Sequence, residues 1–327
     1  MPKRIADVAD ALLEASVAGS FTRLGSAVRA RLEGWEAAPR GALLGKRVVI
    51  TGATSGLGLA MAQGALSLGA EVCFVARNRT KAERVAAELS QSAPGRVSWV
   101  LADMGDLGAV REAAKEIQRL GGAIHGLVHN AGALDAHYST SPQGLEQTLA
   151  SHLVGPFLLT GLLMDSLCAG APSRVIWVAS GGMYAEPLCV DALEMTATEY
   201  DGVLAYARAK RAQVCVSELQ AERFRQRGVS VHAMHPGWAD TAGVARGLPR
   251  FHRLLGPVLR SVEDGCDTAL WLLWAEDERL GTGRFWHDRR ARDPHRFRKT
   301  RRADTQTERR ALWVWLSNVV EEYRRGE

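Results

Sequence analysis

Tyr206 and Lys210 stand four residues apart in the stretch Tyr206-Ala207-Arg208-Ala209-Lys210. On a helix that spacing sets both side chains on one face, a turn apart. A phenol titrates at about 10, so it keeps its proton at neutral pH, and a nearby ammonium favours the phenolate. Of the five tyrosines, only Tyr206 has a lysine four residues on. Such a pair can pass a proton to or from a bound molecule. A surface helix with coincidental Tyr and Lys would read the same way. A second signal lies far upstream, in Thr51-Gly52-Ala53-Thr54-Ser55-Gly56-Leu57-Gly58, directly after the apolar run Val48-Val49-Ile50. A buried strand that breaks into a glycine-rich turn and then opens a helix suits a pyrophosphate. Glycines allow a tight turn and close backbone approach, and the helix N-terminus offers unpaired N–H groups.

The elements that must hold these residues read as a regular alternation. Strands are expected at Arg47–Ile50, Glu71–Val75, Val97–Leu101, Ile124–His129, Val175–Ala179 and Val229–Met234. Helices are expected at Leu57–Leu68, Lys81–Leu89, Val110–Leu120, Leu145–Cys168 and Ala205–Arg227. This alternation implies βαβ units with right-handed crossovers, hence an α/β fold: a single Rossmann-type, doubly wound parallel sheet with helices on both faces. Three parts are expected: a helical N-terminal arm over residues 1–44, the sheet domain over 45–290, and a basic segment with an amphipathic C-terminal helix over 291–327. Just after the second strand, NAD-binding sites carry an acid for the ribose 2′-hydroxyl. Ala76 stands there instead, followed by Arg77, Asn78 and Arg79. Guanidinium groups suit a 2′-phosphate, so NADP(H) is expected in preference to NAD(H), met by Arg77 and Asn78. The bland alternative is that Arg77 and Arg79 begin the next helix as solvent charges.

Together the glycine turn, Ser180 at the end of a strand-like run, and the Tyr206/Lys210 pair resemble the short-chain dehydrogenase/reductase family, whose TGxxxGxG, Ser and YxxxK motifs they reproduce. The resemblance covers nearly the whole chain, more weakly at its far C-terminus. It implies that Tyr206 is the general acid/base, that Lys210 lowers its pKa and holds the nicotinamide ribose, and that Ser180 hydrogen-bonds the substrate oxygen. It implies a dinucleotide held by Thr51, Gly52, Thr54, Ser55, Gly56, Leu57 and Gly58, with Asp103 and Met104 at the adenine. His129-Asn130-Ala131-Gly132 resembles the family's NNAG motif, with His129 for the first Asn. His235-Pro236-Gly237-Trp238-Ala239-Asp240-Thr241 resembles its PGxxxT turn, which brings Pro236, Gly237, Trp238 and Thr241 to the nicotinamide end. The family's fourth catalytic residue, an Asn that positions a water for proton relay, is His152 here. Imidazole both donates and accepts, so His152 is expected within reach of Lys210, directly or through a water.

Composition narrows the rest. The 327 residues are 46% hydrophobic, ample for a sizeable core, and carry a net charge of +5. Five scattered cysteines with no CxxC or Cys/His cluster suit reduced thiols, and no metal site is expected. Met1-Pro2-Lys3-Arg4 leads into Ile5-Ala6-Asp7-Val8-Ala9-Asp10, where acids interrupt any apolar leader, so a cytoplasmic protein is expected. Much of the positive charge crowds between Arg284 and Arg302; a solvated tail is expected there and no nucleic-acid partner, although an anionic surface would also suit the run. Leu24, Val28, Leu32 and Trp35 recur at helical spacing, as do Leu312, Leu316, Val319, Val320 and Tyr323. Those stripes would dock on the body, on a second copy in a homo-oligomer, or peripherally on a membrane. Apolar residues between Ser180 and Tyr206 and after Thr241 would line a pocket for a lipophilic carbonyl or alcohol, or would merely be core. Two functions fit: an NADP(H)-dependent oxidoreductase of such a carbonyl/alcohol pair, or a catalytically weak NADP(H)-binding regulator or scaffold of the same fold.

Overall fold

Eight strands form the sheet in the computed structural model, which describes residues 3–324. They are β1 (Arg47–Thr51), β2 (Glu71–Ala76), β3 (Val97–Leu101), β4 (Gly126–His129), β5 (Ser173–Val178), β6 (Val229–Met234), β7 (Arg284–His287) and β8 (Arg290–Arg292). Their order across the sheet is β3-β2-β1-β4-β5-β6-β7-β8. Neighbours from β3 to β7 pair in parallel, and β7 pairs with β8 antiparallel. The order reverses between β1 and β4, and an open α/β sheet binds ligands in the crevice at the carboxyl ends of such strands. β1, β2, β4 and β5 are buried almost throughout, which is why they read as continuous apolar runs rather than alternating ones.

One face is covered by the helices Gly56–Ser67, Arg79–Ser92 and Val262–Trp274, packed through Met61, Leu66, Val85, Leu89, Trp271 and Leu272. The other carries Leu107–Arg119, Gly155–Leu162 and Gly202–Phe224, packed through Leu107, Val110, Phe157, Leu158 and Cys215. Side-chain oxygens of Asn78, Asp106 and Asp201 cap three of these helices, satisfying N–H groups that have no intrahelical partner. No helix of the described residues is long and apolar enough to cross a membrane.

Three segments depart from the expectation. The long helix expected over Leu145–Cys168 is interrupted: a π-helical turn, Ala150–Val154, sits within it, and Met164–Ala169 forms a separate short helix. The arm folds as three helices, Lys3–Ala15, Val17–Phe21 and Arg23–Glu33, but Leu24 points outward at 61% exposure. Its inward anchor is Arg29, fully buried and bonded to Asp10 at 2.7 Å, Asp288 at 2.6 Å and Glu14 at 2.8 Å. The basic run, expected as a solvated tail, is mostly folded: Arg290–Arg292 is a strand, Arg292 pairs with Asp10, and Arg296 pairs with Glu14. Arm carboxylates neutralise these cations, which is what lets them leave water. At the far end the helix Gln306–Val319 docks on the body, burying Leu312 and Leu316, with Val320 just beyond it. Arg223 lies 3.7 Å from the Trp313 ring centre there.

Candidate active site

The glycine turn leaves β1 at its carboxyl end, and close packing explains its composition. Gly52 has φ +72°, and a Cβ on it would lie 2.8 Å from Ala131 Cα; on Gly58 it would lie 2.3 Å from Gly52 O. Neither position has room for a side chain. Asn130 shapes the same turn from β4, its Nδ2 donating to Thr51 O at 3.1 Å and to Gly52 O at 3.2 Å. Thr51 is itself buried, its Oγ1 accepting from the N–H groups of Asn130 and Ala131, so it ties β1 to β4 behind the cavity wall. Every other residue expected at the dinucleotide, from Gly52 through Thr241, lines one cavity of about 570 Å³. The exposed amides and the room fit a dinucleotide.

Arg77 stands on the wall at the far end, its Nη1 4.0 Å from Asp103 Oδ2, with its side chain 70% exposed. Arg79 turns away to Glu83 and the Trp99 ring. Lys81, one turn into the helix that Asn78 caps, also lines the cavity. Only its place after a capping Asn could have marked it in the sequence.

At the other end Ser180, Tyr206 and Lys210 meet. Ser180 follows β5 and lines the cavity beside Tyr206, while Tyr206 and Lys210 share one face of Gly202–Phe224, with Lys210 Nζ 5.4 Å from the Tyr206 ring centre. Burial raises the phenol above its usual value and the Ser180 hydroxyl opposes that, so Tyr206 is protonated at neutral pH. Burial pulls the Lys210 ammonium down to about 7. Its Nζ donates to Val178 O at 2.8 Å and to Gln213 Oε1 at 3.1 Å.

His152 is nearby, but its imidazole is engaged elsewhere. Nε2 lies 3.0 Å from Ala133 N and 2.9 Å from Ala133 O, and the ring meets Tyr206 edge-on at 5.4 Å. Burial, and then the charge of Lys210, hold the imidazole well below its usual pKa, hence neutral. What connects His152 to Lys210 is its backbone carbonyl, which accepts from Gln213 Nε2 at 2.5 Å. The imidazole makes no direct hydrogen bond to Lys210 among the described residues, and Gln213 is a residue that motif reading passed over. His129 points behind the sheet to Thr160 Oγ1 at 2.7 Å, its pKa pushed by burial down to about 3.

The turn that follows β6 carries Trp238, whose N–H donates to Phe21 O of the arm at 2.7 Å. Leu134, Val203, Trp238, Val244, Leu248 and Phe251 add apolar side chains to the lining of the same cavity.

A family model described as short chain dehydrogenase matches residues 46–248. The chain is 33% identical over 255 residues to dehydrogenase/reductase SDR family member 12 of Homo sapiens, covering 77% of this chain and 79% of that protein. It is 32% identical over 251 residues to retinol dehydrogenase 12 of Homo sapiens, covering 75% and 78%. Among solved structures, a short chain dehydrogenase of Escherichia coli CFT073 complexed with NADPH aligns with TM-score 0.64 at 23% identity, covering 77% of this chain and all of that one. A sheet that reverses at the glycine turn, and a tyrosine, lysine and serine converging on the same cavity, agree with these likenesses. The chain therefore belongs to the short-chain dehydrogenase/reductase family, near its member 12 branch, and is an oxidoreductase of the CH–OH/C=O pair.

Proposed function

We propose that this oxidoreductase uses NADP(H) to interconvert a carbonyl and an alcohol on a hydrophobic small molecule. The observation that carries the reading is the single cavity shared by the glycine turn, the cations Arg77 and Lys81, and the trio Ser180, Tyr206 and Lys210. The bound nicotinamide supplies or accepts hydride. The chain supplies the rest. Amides at the start of Gly56–Ser67 and the bare glycine backbone would hold the pyrophosphate, and Arg77 with Lys81 would meet the 2′-phosphate. In the reductive direction the Tyr206 hydroxyl donates its proton to the carbonyl oxygen, and Ser180 orients that oxygen. Lys210 stabilises the phenolate left behind and the ribose hydroxyls beside it.

The apolar wall of Leu134, Trp238, Val244, Leu248 and Phe251 supports a lipophilic substrate. The likeness to a retinol dehydrogenase makes a long-chain allylic alcohol or aldehyde the first class to try. The deciding experiment is NADPH consumption against a panel of carbonyls that includes retinal, steroid ketones and aliphatic aldehydes, with NADH in parallel. Turnover of apolar members with NADPH, abolished in Tyr206→Phe, supports the reading. Tight NADPH binding with no turnover across the panel would instead favour a cofactor-binding regulator.

A further inference from the structure

We infer that Gln213 is a positioning residue for proton transfer, its amide bridging the Lys210 ammonium and the His152 carbonyl so that the lysine stays aimed at Tyr206. The inference deepens the proposed oxidoreductase function and rests on it. Gln213 lies three residues past Lys210 on the helix Gly202–Phe224, which puts the two side chains on neighbouring surface of that helix. It is 1% exposed, so neither end of its amide can be satisfied by bulk water. Oε1 accepts from Lys210 Nζ at 3.1 Å and Nε2 donates to His152 O at 2.5 Å.

Each end answers a need created by the backbone. The residue four beyond His152 is Pro156, which has no N–H for the His152 carbonyl. The π-helical turn Ala150–Val154 displaces the local ladder as well. The carbonyl therefore faces across to the neighbouring helix and takes its donor from a side chain. Lys210, for its part, is buried without a carboxylate partner among the described residues, and only the Val178 carbonyl and Gln213 accept from it. An ammonium out of water needs such acceptors to keep its proton. The titratable groups around it are Tyr206 on its own helix and His152 on the facing one. Since the His152 imidazole is held by Ala133, the link from Lys210 across to that helix runs through the glutamine amide.

The test reads Lys210 directly in the free protein, by the pH titration of its 13Cε resonance in lysine-labelled material, assigned by its loss in Lys210→Arg. Wild-type protein should titrate near 7. Gln213→Leu removes the acceptor, and the lysine's proton affinity should fall about tenfold. Gln213→Glu keeps the size and offers a carboxylate, and the affinity should rise by at least as much. A packing role would not move the two variants in opposite directions. If both titrate like wild type, the proposal is overturned, and should Gln213→Leu fail to fold, the Glu variant alone decides. Turnover of a carbonyl from the panel should drop in kcat, with little change in the KM for that carbonyl, in the Leu variant. Opposed lysine shifts with no turnover by wild-type protein on any carbonyl would leave the bridge standing and count against the oxidoreductase assignment instead.

Discussion

Replacing Arg29 with methionine removes a guanidinium that touches Asp10, Glu14 and Asp288 and donates to the Ser20 carbonyl at 3.1 Å. The side chain is fully buried, and Asp288 is 2% exposed. Removing one partner from a buried ion pair leaves an uncompensated charge, usually at a cost of about 3–5 kcal/mol. Here Asp10 keeps Arg292 and Asp288 keeps Arg260 at 2.5 Å, so the lower end, about 3 kcal/mol, is expected. With about 2 cal/mol/K of unfolding entropy per residue, that lowers Tm by roughly 4–5 °C for a chain of this length. The loss should reach the cofactor site. Arg260 donates to the Ser20 and Phe21 carbonyls of the arm and packs so tightly under Gly237 that a Cβ there would lie 2.3 Å from its Nε. Loosening the arm loosens the turn that carries Gly237 and Trp238, and NADPH affinity should fall several-fold. Melting followed by circular dichroism, with and without NADPH, reads both effects, and limited proteolysis reports release of the arm. The melting shift should change little between 0.1 and 1 M salt, because the ions are buried. A Tm within 1 °C of wild type would refute the argument that these buried ions hold the arm.

Tyr206→Phe removes only the hydroxyl, so NADPH binding by fluorescence titration should persist while turnover falls about 10²- to 10⁴-fold; near-normal turnover would remove Tyr206 from the role of proton donor. Arg77→Ala should narrow the preference for NADPH over NADH only about fivefold, because a side chain 70% exposed to water contributes about 1 kcal/mol rather than the larger value of a buried contact. An unchanged ratio of the two dissociation constants would shift the phosphate contact to Lys81. Burial alone would raise the Asp10 pKa, but hydrogen bonds and charge from Arg292 and Arg29 hold it down at about 2. A depressed carboxylate contributes stability above its unfolded pKa of about 4 and loses it as pH falls through about 2. The stability gap between wild type and Asp10→Asn should therefore close over that window in acid unfolding curves, and a gap independent of pH would refute it.

The parts legible in the sequence are those whose physics is local. A glycine turn after an apolar strand, and a tyrosine and lysine a helical turn apart, declare their geometry within a few residues, and the structure brings both to one cavity. Strands β1, β2, β4 and β5 were legible because burial on both faces makes each a largely apolar run, whereas β3 at the sheet edge is only partly buried. β7 and β8 were not legible: Arg284–His287 and Arg290–Arg292 are short and together hold three arginines, and β7 becomes a strand because β6 offers an open edge, after which β8 pairs with β7. The same holds for Arg29, whose partner Asp288 lies 259 residues away. By type an arginine belongs in water, and its burial depends on which carboxylates the fold carries to it. Helical spacing on Arg23–Glu33 pointed to Leu24 and its neighbours, yet charge pairing turned the helix so that Arg29 faces inward. At the active centre, position alone assigned His152 to the place of a relay residue. Tertiary contacts decided where its atoms go: Ala133 holds Nε2 of the ring, Pro156 leaves the carbonyl without its helical donor, and Gln213 reaches that carbonyl from another helix. A motif specifies where a backbone passes, whereas the hydrogen bonds that direct each side chain form between segments that meet only in the folded chain.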